Sequence, residues 1–292
     1  MPASTDILVS TDWLAARAGD PALLLFDCTV GVVLGDSTVS YRSGRPQYDA
    51  GHIPSAAFAD LLAGLNHHDE EHHWFTLPSA DEFAAAAGAL GIGDGTTVVL
   101  YDKGQTAWAT RLWWQLRVNG FAAHVLDGGF TKWQAEGRPV TTEAAAFPPA
   151  TLTPRPRPEL VAHLRDVVGA SVAAGAGACL VNTVGPEQHR GVAPIHAGRP
   201  GHIPTSANVP YAALLDPATN AYLPPAALRE LFARELGSAG SGVPIITYCN
   251  AGVAATSAAL ALAVVGIEDV AVYDGSLHEW AADPALPLVV EA

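Results

Sequence analysis

The chain has 292 residues, of which 49% are hydrophobic and 15% charged, a balance that predicts a globular protein with room for two domains. The formal net charge of −14 disfavours nucleic-acid binding, because an acidic surface repels phosphate backbones. No apolar run reaches the roughly 18 residues that span a bilayer, and the first residues lack a secretory pattern. We therefore expect a cytoplasmic protein with neither membrane nor nucleic-acid partners.

The chain repeats one order of motifs about 150 residues apart. Gly-His-Ile-Pro occurs at 51–54 and again at 201–204, and each copy is followed by an apolar run, an Asp-Gly pair and a tryptophan. The apolar run ends at Asp102 in the first copy and at Cys249 in the second. This difference predicts one half that serves as a scaffold and one that carries the chemistry.

Short apolar runs alternate with alanine-rich stretches in both copies, which predicts α/β domains. In the second copy the predicted strands are 179–181, 243–248 and 270–273, and the predicted helices are 224–236 and 252–265. Continuously apolar strands separated by helices are typical of a mainly parallel sheet with helices on both faces. The second predicted helix has almost no polar face, which indicates deep burial, against the other domain as one option.

The proline-rich segment 147–158 is the predicted linker, because dense prolines exclude helix and favour extended backbone. The predicted domains are therefore 1–147 and 159–292, joined by 148–158.

Cys249 follows a predicted buried strand and precedes a loop of small residues and a helix. Such a loop directs backbone N–H groups inward, and together with a helix N-terminus it forms a cradle for an anion. That setting favours the thiolate, which is the nucleophilic form of cysteine. Cys28 and Cys179 lie in apolar runs, and we interpret both as buried, inert thiols.

These motifs together resemble the tandem-domain rhodaneses, the family of thiosulfate and 3-mercaptopyruvate sulfurtransferases. The resemblance covers nearly the whole chain and depends on both Gly-His-Ile-Pro turns, on 109–114, on the Cys249 loop and on 273–280. It implies two rhodanese-like domains, of which the first lacks the catalytic cysteine. It also implies that Cys249 takes sulfane sulfur from a small anionic donor as a persulfide and passes it to a thiol or cyanide acceptor. No metal or organic cofactor is implied, and the implied substrate-binding loop residues are Asn250, Ala251, Gly252, Val253 and Ala254.

The loop itself leaves the donor open. Asn250 and Ala251 resemble the small neutral residues of mercaptopyruvate-using members, whereas thiosulfate-using members tend to carry basic ones. Ala254 replaces the Ser or Thr that both groups commonly have, so a hydroxyl that would assist a leaving enolate is missing.

The segment after the first strand of the second copy also departs from the family pattern. Asn182 stands where family members carry Asp, and Gln188 stands where they carry a substrate-binding Arg. An amide cannot replace a bidentate guanidinium, so capture of an anionic donor should weaken. Arg190 is the first candidate to supply the missing charge. Further candidates are His189, His196 and Arg199.

The segment 66–74 carries four histidines and three acids, which suits Zn²⁺ or Ni²⁺. Adjacent histidines point in different directions, however, so we interpret it as a solvated connecting loop rather than a metal site. His52 and His202 occur in both copies, which indicates that they brace a turn. Arg111 is interpreted as structural and paired with an acid. Four tryptophans are predicted to pack in the core or between domains: Trp113, Trp114, Trp133 and Trp280.

Two other functions remain open at this point. A cysteine phosphatase needs an arginine six residues after the cysteine, and the chain has Ala255 there, so this activity is disfavoured. A catalytically weak sulfur carrier or protein-binding module on the same scaffold is the stronger alternative, because Asn182, Gln188 and Ala254 all depart from the family pattern.

Overall fold

The computed structural model describes residues 7–35, 39–69, 73–172, 177–193, 198–240 and 242–291. The strands are β1 (Leu8–Val9), β2 (Leu23–Asp27), β3 (Val30–Leu34), β4 (Val39–Ser43), β5 (Ala56–Phe58), β6 (His67–Asp69), β7 (His73–Thr76), β8 (Thr97–Tyr101), β9 (His124–Leu126), β10 (Val161–Ala162), β11 (Cys179–Asn182), β12 (Ala207–Asn208), β13 (Ile245–Tyr248) and β14 (Val270–Tyr273). The α-helices are α1 (Thr11–Ala15), α2 (Arg45–Ala50), α3 (Ala80–Ala89), α4 (Ala107–Val118), α5 (Gly129–Ala135), α6 (Leu164–Val172), α7 (Pro186–Arg190), α8 (Pro225–Leu236), α9 (Ala255–Val264) and α10 (Ser276–Ala282).

Two five-stranded parallel sheets form the two halves. The first has the strand order β1-β9-β8-β2-β5 and the second has the order β10-β14-β13-β11-β12. The orders correspond strand for strand, so β8, which precedes Asp102, matches β13, which precedes Cys249. The predicted α/β fold of two tandem domains is confirmed, whereas the exact domain boundaries stay a prediction.

The halves meet through equivalent helices. α4 packs on α9, which is buried along almost its whole length, as its lack of a polar face predicted. Thr110 and Ser257 occupy equivalent positions, and their hydroxyl oxygens lie 3.1 Å apart. The aspartate of each Asp-Gly motif accepts a hydrogen bond from the other half: Asp274 accepts from Leu77 N at 2.9 Å, and Asp127 accepts from Tyr222 N at 2.8 Å. The interface is therefore nearly two-fold symmetric.

The proline-rich segment runs without helix or strand from 146 to 157, as predicted. It is fixed to the first half by backbone hydrogen bonds: Ala150 N donates to Gly88 O at 2.9 Å, and Arg157 N donates to Val118 O at 2.7 Å. Leu152, within the segment, is buried. The segment is thus a strap that packs along the first half.

The predicted elements of the second half agree with the structure to within three residues at each end. The interpretation of 66–74 as a connecting loop is wrong for part of that segment, since β6 and β7 pair as an antiparallel hairpin. Asn66, just before β6, is buried and accepts hydrogen bonds from two residues of α4. Residues 70–72 lie outside the described residues, so metal binding by this segment stays open.

Both Gly-His-Ile-Pro histidines brace a turn, as predicted. His52 Nδ1 lies 2.9 Å from Tyr48 O, and His202 Nδ1 lies 2.7 Å from His189 O. All four tryptophans are buried, which confirms their predicted packing role. Cys28 and Cys179 are buried too, and burial raises the pKa of both thiols. Within the described ranges, no helix is both long and apolar enough to cross a membrane.

Candidate functional site

Cys249 lies directly after β13, at the carboxyl edge of the second sheet, and is 4% exposed. The loop turns at Gly252, whose φ is +71°. A side chain there would meet Asp274 O at 2.6 Å and Arg111 Nη1 at 3.3 Å, so only glycine fits. The predicted sharp turn after the cysteine is therefore present.

Ser276 fixes both ends of this turn. Its Oγ accepts from Cys249 N at 3.2 Å and from Gly252 N at 3.0 Å, while its hydroxyl donates to Tyr273 O at 2.8 Å. Ser276 adopts a φ of +52°, which is uncommon for a residue with a side chain. The equivalent position in the first half is Gly129, so this serine belongs to the half that carries Cys249.

Several loop amides remain available. Among the described residues, the N–H groups of Asn250, Ala251, Val253 and Ala254 have no hydrogen-bond acceptor. The buried Oδ1 of Asn250 likewise has no partner in the described part of the chain. Unpaired donors that surround a thiol at the end of a strand are suited to an anion.

The first half covers this loop with apolar side chains. Ala251 and Val253 form one cluster with Phe75, which is fully buried, and Tyr41 and Trp108 pack against it. The ring centroids of Tyr41 and Phe75 lie 4.8 Å apart, and those of Phe75 and Trp108 lie 5.1 Å apart. The site is therefore assembled from both halves.

Two tyrosines lie close enough to Cys249 for its charge to act on them. Burial, with a smaller contribution from the negative charge of Cys249, raises the pKa of Tyr41 to about 12. Burial, followed by the negative charges of Cys249 and Asp102, likewise raises the pKa of Tyr211. Both hydroxyls therefore keep their protons at neutral pH, and Tyr41 and Tyr211 come from different halves.

Arg111 reaches from α4 of the first half to the Cys249 loop and has no exposed surface. Its Nη1 donates to Gly252 O at 3.2 Å and to the Asp274 carboxylate at 2.5 Å. On its other side it donates to Asn66 Oδ1 at 3.0 Å and to the carbonyl of Phe75. The predicted pairing with an acid is confirmed.

Gln188 and Arg190 lie on α7, which starts shortly after β11. Because Asn182, the last residue of β11, is paired with Tyr248, α7 and the Cys249 loop leave the same edge of the sheet. Gln188 is half-buried and Arg190 is exposed. Their roles as substrate-binding residues stay predictions.

The other candidates for the missing positive charge are less suited to it. The Arg199 guanidinium donates to the carbonyls of Asp283 at 2.7 Å, Ala281 at 3.1 Å and Leu286 at 2.9 Å, around the end of α10, so it is structural. His189 is buried, and burial together with His202 lowers its pKa to about 4, so it is neutral at physiological pH. His196 lies outside the described residues.

Asn182 is buried and connects these elements. Its Oδ1 accepts from Val184 N at 3.2 Å, and its Nδ2 lies 3.1 Å from His189 Nδ1. It thus holds the segment before α7 with neutral hydrogen bonds.

Among the described residues, three possible metal ligands lie together, of which His189 is on α7. Ligand atoms of His189, His202 and Glu291 lie within 4.8 Å of one another. The two imidazole rings stack with centroids 3.7 Å apart and planes 10° apart. Nearly parallel rings cannot both direct an in-plane lone pair at one ion, so this arrangement does not suit coordination.

Comparison with known proteins identifies the family. The family profile described as "Rhodanese-like domain" matches residues 10–136 and 195–283. The chain belongs to the rhodanese-like family. It is 33% identical to thiosulfate/3-mercaptopyruvate sulfurtransferase 2 of Arabidopsis thaliana over 99% of this chain and 88% of the relative. It is 30% identical to 3-mercaptopyruvate sulfurtransferase of Escherichia coli K12, and the match covers 98% of each chain.

A solved structure agrees with these relatives. The crystal structure of SseA from Escherichia coli, a 3-mercaptopyruvate sulfotransferase, superposes with a TM-score of 0.80 at 29% identity. The match covers 93% of this chain and 99% of SseA. The predicted family, the fold and the sulfurtransferase class are thereby confirmed, and small sulfur compounds are the substrates of that class.

Sequence reasoning missed the part of the site that the first half contributes. Tyr41, Phe75 and Trp108 lie in segments with no chemical motif, and only the three-dimensional packing brings them to the loop. Ser276 was visible as a second difference between the copies, since Gly129 occupies the equivalent position.

Proposed function

We propose that this rhodanese-family chain is a sulfurtransferase that uses Cys249 as its nucleophile. The observation that carries this proposal is the buried cysteine at the end of β13 among loop amides without acceptors. The same position in the first half holds a carboxylate, Asp102, which accepts four backbone N–H groups. An anion at this position therefore suits the loop geometry.

The reaction needs two displacements at sulfur. The Cys249 thiolate attacks the outer sulfur of thiosulfate or the thiol sulfur of 3-mercaptopyruvate; a new S–S bond forms, and the S–S bond of thiosulfate or the C–S bond of 3-mercaptopyruvate breaks. With thiosulfate the electron pair leaves on sulfite; with 3-mercaptopyruvate it leaves on the pyruvate enolate, which then takes a proton. A thiophilic acceptor such as cyanide or a thiolate next attacks the outer sulfur of the persulfide and regenerates the thiolate. The amides of Asn250, Ala251, Val253 and Ala254 stabilise the negative charge at each stage.

The donor class follows from the charges around the loop. Asn250 and Ala251 bring no cation, and Arg111 is neutralised by Asp274, so the loop itself offers the doubly charged thiosulfate only its amides. We propose 3-mercaptopyruvate as the better donor, with Gln188 and Arg190 on α7 binding its carboxylate. The alternative is a sulfur carrier with weak turnover, which the neutral Asn182 and His189 favour.

Intact-mass spectrometry tests the proposal. The protein is incubated with thiosulfate or with 3-mercaptopyruvate, and Cys249→Ser is the control. We expect a gain of one sulfur atom that cyanide removes and that the variant lacks, with faster loading from 3-mercaptopyruvate. If neither donor adds sulfur, Cys249 is not a persulfide carrier and the proposal fails. Persulfide without release to any acceptor supports the carrier.

Gln188→Arg tests the donor site, with Gln188→Leu as the matched control. Restoring a guanidinium should lower the KM for both anionic donors about tenfold, because a charged hydrogen bond replaces a neutral one. An unchanged KM in both variants would show that α7 does not bind the donor.

A further inference from the structure

The carbonyl that precedes Val253 is held differently in the two halves. In the first half the equivalent carbonyl is Gln105 O, which accepts from the hydroxyl of Thr106 at 2.6 Å. Val253 has no hydroxyl, and Gly252 O accepts instead from Arg111 Nη1 at 3.2 Å. A residue of the first half thus replaces a bond that the first loop makes within itself.

This contact fixes the direction of one amide. The C=O of Gly252 and the N–H of Val253 belong to the same planar peptide and point in opposite directions. Because Arg111 holds the carbonyl on one side, the Val253 N–H is turned to the other. In the first half the equivalent N–H, of Thr106, donates to Asp102 Oδ1 at 3.1 Å. The two loops differ in backbone conformation here, since the residue with positive φ is Thr106 in the first and Gly252 in the second. The Val253 N–H has no acceptor among the described residues and is therefore available to an anion at Cys249.

The guanidinium is itself held rigidly. Asn66 Oδ1 accepts from Arg111 Nη2 at 3.0 Å and also from Gln115 Nε2 at 2.9 Å, and the Phe75 carbonyl accepts a further N–H. Asp274, which pairs with Arg111 Nη1, also accepts from Leu77 N at 2.9 Å. The second half has Ala258 at the position equivalent to Arg111, and the Asp102 loop is reached instead by Asn220, whose Nδ2 donates to Gly104 O at 2.9 Å.

We propose that Arg111 is a positioning residue for the sulfur-transfer site: it orients the 252–253 peptide so that the loop N–H groups face Cys249. The inference rests on the proposed function of Cys249. The first half then orients the backbone of the Cys249 loop, in addition to covering it.

Arg117 provides a matched control. It lies on the same helix, α4, and also crosses between the halves, where it donates to Glu268 O at 3.0 Å, but it does not touch the Cys249 loop. Removing Arg117 therefore weakens the interface without releasing Gly252 O. Arg111→Met removes the contact, and Arg111→Lys keeps the charge but cannot reach all four acceptors. In Arg111→Met/Asp274→Asn no buried charge is left unpaired, which protects the fold.

The measurements are the single-turnover rate of persulfide loading and amide hydrogen exchange across the loop. We expect Arg111→Met, Arg111→Lys and the double variant to load about 100-fold more slowly, as displaced catalytic groups do. Donor KM should change little, and exchange at 249–255 should accelerate. Arg117→Met should load at close to the wild-type rate and keep its loop protection.

The outcomes separate this inference from the proposed function. If the wild type forms no persulfide, the proposed function fails. If the wild type loads and the folded Arg111 variants load equally fast, the positioning role alone is overturned. Equal losses in Arg117→Met would also overturn it, because the effect would then belong to the interface as a whole.

Discussion

The loops at Asp102 and Cys249 occupy the same position in the two halves, but their N–H groups are satisfied differently. In the first loop the carboxylate accepts from Gly104, Thr106, Trp108 and Ala109 N–H groups at 2.7 to 3.1 Å. In the second loop the side chain is a thiol, and several N–H groups have no acceptor among the described residues. The first loop is filled by its own anion, whereas the second leaves its donors to an anion from outside.

One duplicated loop thus serves two purposes. In the first loop the Asp102 carboxylate itself accepts four N–H groups, although burial still raises the pKa of its carboxyl above the ordinary value. In the second loop Ser276 and Arg111 hold the backbone instead. Stability and chemistry are thus assigned to opposite copies of one motif.

The largest expected effect is on activity. Cys249→Ala should lower sulfur transfer by at least about 10³-fold, because the nucleophile is lost. Its free energy of unfolding should change by about 1 kcal/mol at most, since among the described residues no hydrogen-bond partner of the thiol is left unpaired. Steady-state turnover and denaturant unfolding check both halves of this prediction. Residual transfer close to wild type would assign the chemistry elsewhere.

Asp102→Ala should show the reverse pattern. Four N–H groups lose their acceptor, so we expect the free energy of unfolding to fall by about 3 kcal/mol. Turnover per folded molecule should be retained, because Asp102 does not touch the proposed substrate. Urea unfolding and an assay corrected for the folded fraction separate the two quantities. A loss of turnover without a loss of stability would contradict the comparison.

A second difference between the halves lies at the two Gly-His-Ile-Pro turns, where each histidine stacks on a different kind of ring. Tyr48 stacks on His52 and His189 stacks on His202, each pair with centroids 3.7 Å apart. The unfolded chain binds a proton at His189 near pH 6.5, whereas the folded chain does so only at about pH 4. The folded state therefore loses stability as pH falls between these values, by up to about 3 kcal/mol.

His189→Tyr copies the first half and should remove this loss of stability in acid. Thermal unfolding at pH 7 and at pH 4.5 measures it, with the exposed His163→Tyr as control. The variant should be closer to its neutral stability at the lower pH than the wild type is. An unchanged acid response would show that His189 does not titrate as its burial indicates.

The smallest expected effect is at the two-fold contact between the halves. Thr110→Ala removes hydrogen bonds to Thr256 Oγ1 at 2.9 Å and to Ser257 Oγ at 3.1 Å. We expect a loss of about 1 kcal/mol in the free energy of unfolding. Chemical denaturation measures it, and the exposed Thr131→Ala on α5 is the reference substitution. Equal effects at both sites would mean that the contact contributes nothing.

Most of the fold was accessible from sequence because its signals are local. The apolar strand 245–248 and the apolar helix after it can only be buried in the core, and the duplicated motifs indicate the same arrangement in the other half. The β6–β7 hairpin was missed because a run of histidines and acids carries no strand periodicity. The contacts beside it are also non-local, since Arg111 and Gln115 donate to Asn66 from a helix more than forty positions further along the chain.

The site was predictable only where its residues lie close together in the sequence. Cys249 and its loop fall in a single stretch, so their geometry was anticipated. Tyr41, Phe75 and Trp108 approach from the other half, and no local pattern encodes a contact over that sequence separation. Arg199 was misjudged as a candidate for donor binding because its carbonyl partners lie more than eighty positions away along the chain.

The strap gives this two-half site a further property. Residues 147–158 tie together halves that would otherwise meet only by diffusion, so the site forms at an effective concentration set by a short tether. Its assembly should therefore be insensitive to dilution of the protein. A protease nick within the strap would leave every site residue in place, yet would turn a unimolecular closure into a bimolecular one, and activity would then fall as the nicked protein is diluted.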